Sequence, residues 1–311
     1  MHRPPLPRLT LPRLTLPFPL TILRYRRVLA LPDPLFPEHL DGQRFERQLR
    51  SLACWWRVLP LDQALALLAE RRLPARAACI TFDHGYTSHA DVALPLLQRH
   101  GLRATFFVAS GLLNGACLWA DAVIAMVRAA PGDRLNLGRS GFGSYDIACI
   151  QRRRAVIDML LAALRMLPPD ERALRVRAMT RPGAPAMLGP DQVLALHRAG
   201  MQVGAHSASQ AALAQLSNAD ARAQIASCRE ALEEITQAPV RLFAYPGGTP
   251  GRDFEQRHAS MLRAQGFMAA LGAAPGTAGL SSDPYALPRF TPGNSRGALL
   301  LAMARNLLAP A

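Results

Sequence analysis

Short apolar segments that end in polar residues alternate with amphipathic helical patterns along most of this 311-residue chain. The strand-like segments lie at 20–28, 77–83, 103–109, 201–206, 240–245, 267–272 and 287–291. Two of the helical patterns between them stop at Gly101 and Gly200, as helices often do. About seven strands alternating with helices predict a parallel sheet, either a (β/α) barrel or an open α/β sheet.

Two stretches depart from this alternation. Residues 111–190 hold helical patterns and a polar loop at 131–145 but no convincing strand, which predicts a helical insertion on one side of the barrel. Near the N-terminus Arg-Leu-Thr-Leu-Pro occurs twice in a row, at 8–12 and 13–17, and further prolines surround it. The expected organisation is a Pro-rich tail at 1–19, followed by one domain at 20–311 that contains the insertion.

The formal charge of +14 is a weak guide to partners, because all 36 basic residues are arginines scattered along the chain. Coding bias explains this pattern, and no specific nucleic-acid partner is expected. No apolar run approaches the roughly 20 residues of a membrane-spanning helix. The five cysteines lack metal-ligand or redox spacing, and the prolines break any signal-peptide pattern. We therefore expect a cytoplasmic location, with export by another route left open.

Three polar clusters follow strand-like segments, at 81–86, 204–210 and 243–248. The carboxyl ends of parallel strands meet at one rim, so these clusters should face one cleft. His206 and Gln210 are four residues apart, which one helical turn would place on one face. With His84 they would offer two imidazoles and an oxygen, a set that suits a divalent metal such as zinc. Asp83 would then accept the proton of a metal-activated water.

Several further motifs occur in a fixed order: 34–37, 56–64, Ala104-Thr105-Phe106-Phe107-Val108, Trp119-Ala120-Asp121 and Leu287-Pro288-Arg289-Phe290-Thr291-Pro292. Together with the polar clusters they resemble polysaccharide deacetylases of the NodB-homology, carbohydrate esterase type. The resemblance runs from about residue 20 to 292. It implies a distorted (β/α) barrel, a divalent metal with zinc preferred, and hydrolytic removal of N- or O-acetyl groups from an acetylated oligo- or polysaccharide.

The resemblance also implies roles for single residues. Asp83 matches the family's catalytic base, and His206 matches a histidine that binds the metal. Tyr245 matches the residue whose backbone amide stabilises the oxyanion, and Pro246 and Gly247 complete the turn that directs this amide towards the substrate.

Three positions depart from the family's pattern. His84 stands where the family has a metal-binding aspartate, and Gln210 stands where it has a second histidine. Residues 25–27 read Tyr-Arg-Arg instead of Tyr-His-Arg. The expected ligand set of His84, His206 and Gln210 is neutral and would hold a divalent metal weakly or not at all. An inactive relative that binds carbohydrate or a biosynthetic partner is therefore the alternative function.

Other candidate residues have competing interpretations. Trp119 is expected to stack on a sugar ring, or else to have a core or lid role. His84 is equally compatible with a hydrogen-bonded rim histidine that binds no metal. The remaining helix histidines are expected to be solvated: His89, His100, His197 and His258.

Overall fold

The computed structural model describes residues 18–113, 117–180 and 186–293, together with 295, 297, 299–301 and 303. Nearly all of the predicted tail at 1–19 lies outside these residues. The strands are β1 (Thr21–Tyr25), β2 (Arg57–Val58), β3 (Ala77–Phe82), β4 (Thr105–Val108), β5 (Arg134–Asn136), β6 (Ser144–Asp146), β7 (Gln202–Ala205), β8 (Leu242–Ala244) and β9 (Ala269–Leu271). The α-helices are α1 (Gly42–Trp55), α2 (Leu61–Ala69), α3 (Leu94–Arg99), α4 (Trp119–Ala129), α5 (Ile150–Arg165), α6 (Pro169–Met179), α7 (Pro190–Arg198), α8 (Asn218–Thr236) and α9 (Gln256–Ala264).

Seven strands form one parallel sheet in the order β1-β3-β4-β7-β8-β9, with β2 paired to the start of β3. The segment 287–290 spans the gap between the two edge strands. Leu287 forms a parallel bridge with Leu271 of β9, and Phe290 forms one with Leu23 of β1. The predicted parallel (β/α) barrel is therefore confirmed, although its last predicted strand consists of single bridges.

The region predicted as a helical insertion contains α4, α5 and α6 between β4 and β7. It also contains β5 and β6, which pair as an antiparallel two-stranded sheet. The prediction that this region lacks strands is wrong. Both strands were missed because each is only three residues long and they lie in or at the end of the polar loop. Helix α1 was also missed, although Asp41 caps its first turn and Phe45, Leu49 and Leu52 form its buried face.

Alternate residues of each strand face opposite sides of the sheet. One core cluster lies between strands and helices, where Phe82 of β3 stacks on Phe106 of β4 at 4.8 Å between ring centroids. A second cluster contains alternate strand residues that face the barrel interior, such as Ile22, Cys79 and Phe107, together with the buried face of α2. A third cluster lies mainly within the insertion. Helix α2 thus closes the amino-terminal end of the barrel and leaves the opposite rim for the polar residues.

The barrel interior is narrow, as Gly204 of β7 shows. A Cβ atom at this position would lie 2.5 Å from the ring of Phe107 and 3.0 Å from the carbonyl oxygen of Leu242. Glycine is required here because a bulkier residue would displace the aromatic side chain that fills the interior. Two residues further along the chain, His206 stands at the rim on the same side of the strand.

Candidate functional site

Asp83 follows β3 directly and lies fully buried between two arginines. Its Oδ2 atom accepts a hydrogen bond from Nε of Arg24 at 2.6 Å and one from Arg289 at 2.9 Å. Its Oδ1 atom accepts a second bond from Arg289 at 2.7 Å. Both arginines are themselves buried, so the carboxylate is held by charge-assisted bonds shielded from solvent.

The strand register explains how these three residues meet. Arg24 follows Leu20 and Ile22 on the interior face of β1, and its Cα lies opposite Thr81 of β3. The backbone amide of Asp83 donates to the carbonyl of Tyr25, the residue after Arg24 in β1, and so holds the carboxylate next to Arg24. Arg289 enters from the segment that closes the barrel, and its Nε donates to the carbonyl oxygen of Gly272 at 2.7 Å.

The arginines determine the proton affinity of this carboxylate. Burial alone would raise the pKa of Asp83, because it penalises the charged form. The positive charges of Arg289 and Arg24 outweigh that effect and hold the pKa of Asp83 well below its usual range. The residue is therefore a stable anion at neutral pH and a weak base.

His206 lies beside this cluster at the end of β7 and is fully buried. Its Nδ1 atom is 2.7 Å from the carbonyl oxygen of Ala244, which assigns the proton to Nδ1 and leaves a lone pair on Nε2. Nε2 is buried and has no hydrogen-bond partner among the described residues. Burial lowers the pKa of His206 to about 4, against the raising effect of Asp83, so the imidazole is neutral at pH 7.

His84 packs its ring edge-to-face against His206, with 5.1 Å between ring centroids. Its Nδ1 atom is buried and has no hydrogen-bond partner in the described ranges, and the same is true of Nε2 of Gln210. Burial and the neighbouring His206 hold the pKa of His84 well below its usual range. The structure therefore brings two neutral imidazoles together beside Asp83 and its arginines.

The backbone around these groups has positive φ angles, which residues other than glycine rarely adopt. His84, Ser207 and Gln210 have φ angles of +84°, +56° and +61°. Such left-handed residues cost free energy, on the order of 1 kcal/mol each, and concentrate at functional sites. Their presence in two of the three polar clusters supports the assignment of this rim as the functional site.

The backbone amide at the predicted oxyanion turn takes part in the sheet. The backbone amide of Tyr245 donates to the carbonyl of Leu271 at 3.0 Å, and its ring stacks on Phe254 on the helix side of the sheet. Pro246 is buried, whereas Gly247 is exposed, with a φ of +72° that suits glycine. A role for the Tyr245 amide in binding substrate would require its bond to Leu271 to break.

A cavity of about 830 Å³ adjoins the rim between residues 27–39 and helices α4 and α6. Trp119 and Asp121 line it, and Asp121 lies 3.6 Å from Arg27. The guanidinium of Arg27 lies 5.0 Å from the ring centre of Tyr86, which contacts His84 edge-to-face at 5.7 Å. Tyr86 thus links the cavity wall at Arg27 to His84.

The sequence profile of the polysaccharide deacetylase family matches residues 70–267, which is more than half of the chain. The chain belongs to the polysaccharide deacetylase family. Comparison with curated proteins gives no match. The described residues include no helix both long and apolar enough to cross a membrane.

Solved structures of deacetylases share the fold of this family member. The Streptococcus pyogenes deacetylase PplD, determined with acetate, is 17% identical with a TM-score of 0.65, covering 92% of this chain and 99% of that chain. IcaB from Ammonifex degensii is 18% identical with a TM-score of 0.58, covering 92% and 97%. A de-N-acetylase from Aggregatibacter actinomycetemcomitans is 14% identical with a TM-score of 0.57, covering 91% and 99%.

Members of this deacetylase family generally use a divalent metal, and the residues at this rim do not fit one. His206 has the features of a ligand, with Nε2 free and Nδ1 held by a carbonyl. Both oxygens of Asp83, however, are bonded to guanidinium groups. Throughout the described ranges, no three His, Cys, Asp or Glu side chains come together as potential metal ligands. The donor set present is neutral and weak, and the two guanidinium groups beside it oppose a tightly bound cation.

Sequence reasoning missed the roles of both arginines at this rim. Arg24 is the single charged residue of β1, whose five residues are all buried, a signal that it needs a buried partner. Arg289 lies within a recognised motif but received no role. The expectation of solvated histidines is wrong for His89 and His258, which are fully buried. His89 contacts the carbonyl oxygen of Arg26, and His258 accepts a bond from the amide of Glu255.

Proposed function

We propose that this protein acts on an acetylated oligo- or polysaccharide and removes acetyl groups by hydrolysis at a low rate. Membership of the polysaccharide deacetylase family supports the substrate class and the type of reaction. The observation that carries the proposal is the convergence of Asp83, His84 and His206 at the carboxyl-terminal rim of the barrel. This rim is where α/β barrels place their reactive groups.

In this proposal Asp83 is the base that receives a proton from the attacking water. An efficient general base has a pKa near the working pH, whereas the two arginines depress the pKa of Asp83 strongly. Its oxygens must also exchange an arginine bond for the water. These two effects are the physical reason for the low rate. Zinc binding, assigned to His84, His206 and Gln210, is weak or lost for the reasons given above.

The proposed substrate contacts are Trp119, Pro246 and Gly247. Trp119 lines the cavity beside the site, and its ring is covered by the guanidinium of Arg172 at 5.1 Å. An aromatic ring at a cavity wall suits stacking on a sugar. Gly247 offers an exposed backbone beside the rim, and a side chain there would meet the carboxylate of Asp253.

Acetate release from a panel of N-acetylated and O-acetylated oligosaccharides tests the proposal. We expect slow release by the wild-type protein and none by Asp83→Asn or by His206→Gln. Asp41→Asn, which alters a buried carboxylate at the start of α1, is the matched control and should retain the wild-type rate. Equal release by the wild type and both site variants would refute the assignment of this rim.

A second candidate function is glycan binding without hydrolysis. The observation that favours it is the full engagement of both Asp83 oxygens by Arg24 and Arg289. Binding of the same oligosaccharides, measured by calorimetry or NMR, would then persist in His206→Gln while acetate release stays absent in the wild type. Detectable release that His206→Gln abolishes would instead support the deacetylase.

A cytoplasmic location is part of this proposal. All five cysteines lack a disulfide partner, and Cys54, Cys117 and Cys149 are exposed. Exposed free thiols favour a reducing compartment. Cell fractionation tests this, and recovery of the protein outside the cytoplasm would contradict it.

A further inference from the structure

The buried charged cluster at the rim already includes two cations, the guanidinium groups of Arg24 and Arg289. One carboxylate, Asp83, is paired with two guanidinium groups, and all three side chains are at most 7% exposed. The cluster therefore has a net positive charge before any ion is added. Protonation of His84 or His206 would only make it more positive. A divalent cation placed here would be repelled by Arg24 and Arg289 in a region that water screens poorly.

Arg24 is bonded to Asp83, the residue directly before His84 in the chain. Its positive charge acts on both imidazoles and opposes their protonation. Its Nη2 atom is buried and has no hydrogen-bond partner among the described residues, as is also true of Nε2 of His206. The guanidinium thus places a buried cationic donor beside Asp83.

We propose that Arg24 replaces the divalent metal as the cation beside Asp83, so that this deacetylase-family protein folds and retains its site without metal. Arg289 anchors the other side of the carboxylate and is tied to the carbonyl of Gly272. Arg24 makes a single bond to the carboxylate through Nε and has no such anchor on Nη2. Arg24 is therefore the residue whose removal should reopen the site to a cation.

The first test measures metal in the purified full-length protein. After dialysis we expect far less than one zinc per chain, and neither EDTA nor added zinc should shift the unfolding temperature. Stoichiometric zinc that survives dialysis, or an unfolding temperature lowered by EDTA, would overturn the proposal.

The second test compares variants by zinc titration calorimetry. Arg24→Met removes the charge while keeping a long side chain, and we expect zinc affinity to rise at least about tenfold. Arg24→Lys keeps the charge and should bind zinc as weakly as the wild type. Arg27→Met, three residues along the chain and 38% exposed, is the matched control and should also stay weak. If Arg24→Met does not fold, Arg24→Gln provides the neutral variant.

A folded Arg24→Met or Arg24→Gln protein with unchanged zinc affinity would overturn the assigned role of Arg24. Tight zinc binding by Arg24→Lys would overturn it as well. None of these measurements uses acetate release, so failure of the deacetylase proposal leaves their interpretation intact. Conversely, a metal-loaded wild type would refute this inference without refuting deacetylation.

Discussion

The two sides of the rim differ in how completely their polar groups are paired. On one side, both oxygens of Asp83 are bonded to Arg24 and Arg289. On the other side, buried nitrogens of His84, His206 and Gln210 have no partner within the described parts of the chain. Buried polar groups without partners are rare in folded proteins, and each needs an explanation such as functional use.

This difference indicates that one side of the site contributes to stability and the other contributes to function. The paired side behaves like part of the core, because both oxygens of its carboxylate are bonded inside the barrel. The unpaired side keeps neutral nitrogens available to water or substrate. Stability should therefore depend mainly on Asp83 and its arginines, whereas acetate release should also require His206 and substrate binding should depend mainly on the adjoining cavity.

The largest expected effect comes from breaking the paired side. Asp83→Asn would leave two buried guanidinium groups without a counter-charge, and we expect a loss of about 3–5 kcal/mol in the free energy of unfolding. Asp158→Asn removes an exposed partner of Arg154 and should cost less than about 1 kcal/mol. Urea denaturation measures both. Equal losses would contradict the difference between the two sides.

Acid should weaken the unpaired side first. Burial lowers the pKa of His206 to about 4, so between roughly pH 6.5 and pH 4 the unfolded chain binds a proton that the folded protein excludes. Stability therefore falls as the pH drops through this range, by roughly 3 kcal/mol for His206. Denaturation at several pH values should show a shallower fall for His206→Gln. An identical pH dependence in wild type and variant would contradict the buried neutral imidazole.

A smaller effect is expected when the unpaired side regains a metal-binding donor set. The combined change His84→Asp and Gln210→His adds a carboxylate and an imidazole, and should raise zinc affinity about tenfold, or roughly 1.4 kcal/mol. The gain is limited because Arg24 remains, and adding Arg24→Met should increase it. Zinc titration of the double and triple variants checks this. Unchanged affinity in both would show that the three positions do not share one site.

The smallest effect concerns the cavity. Trp119→Ala should weaken binding of acetylated oligosaccharides by about 1 kcal/mol through loss of ring stacking. Trp55→Ala, an exposed tryptophan at the end of α1, is the matched control and should bind like the wild type. Calorimetry on both variants checks the difference. Equal weakening would remove Trp119 from the proposed substrate contacts.

Much of the barrel was predictable because its buried strands are short apolar runs followed by polar residues. Asp83 and His206 were found in this way, since a polar residue after such a run marks the rim. The segment at 287–291 could not be distinguished from a strand, because single bridges and ladders have the same apolar pattern. Strands β5 and β6 are too short to show the alternation of apolar and polar residues that identifies a strand in the sequence.

The pairing at the site was less predictable than its residue types. Arg24 and Asp83 are 59 residues apart, and Arg289 is 206 residues from Asp83, so local patterns carry no sign of their contact. Only the strand register and the closing segment bring them together. A single arginine among buried residues in β1 was the available signal, and it indicates that a partner exists without identifying it.

The segment that carries Arg289 also joins the first and last strands of the barrel. The Arg289 side chain thus links the segment that closes the barrel to Asp83 at the rim. A mutation that displaces this closing segment would disturb the counter-charge of Asp83, and a mutation of Asp83 would destabilise the closing segment. Selection for a folded protein alone would therefore preserve Asp83 and Arg289 in descendants that no longer turn over any substrate.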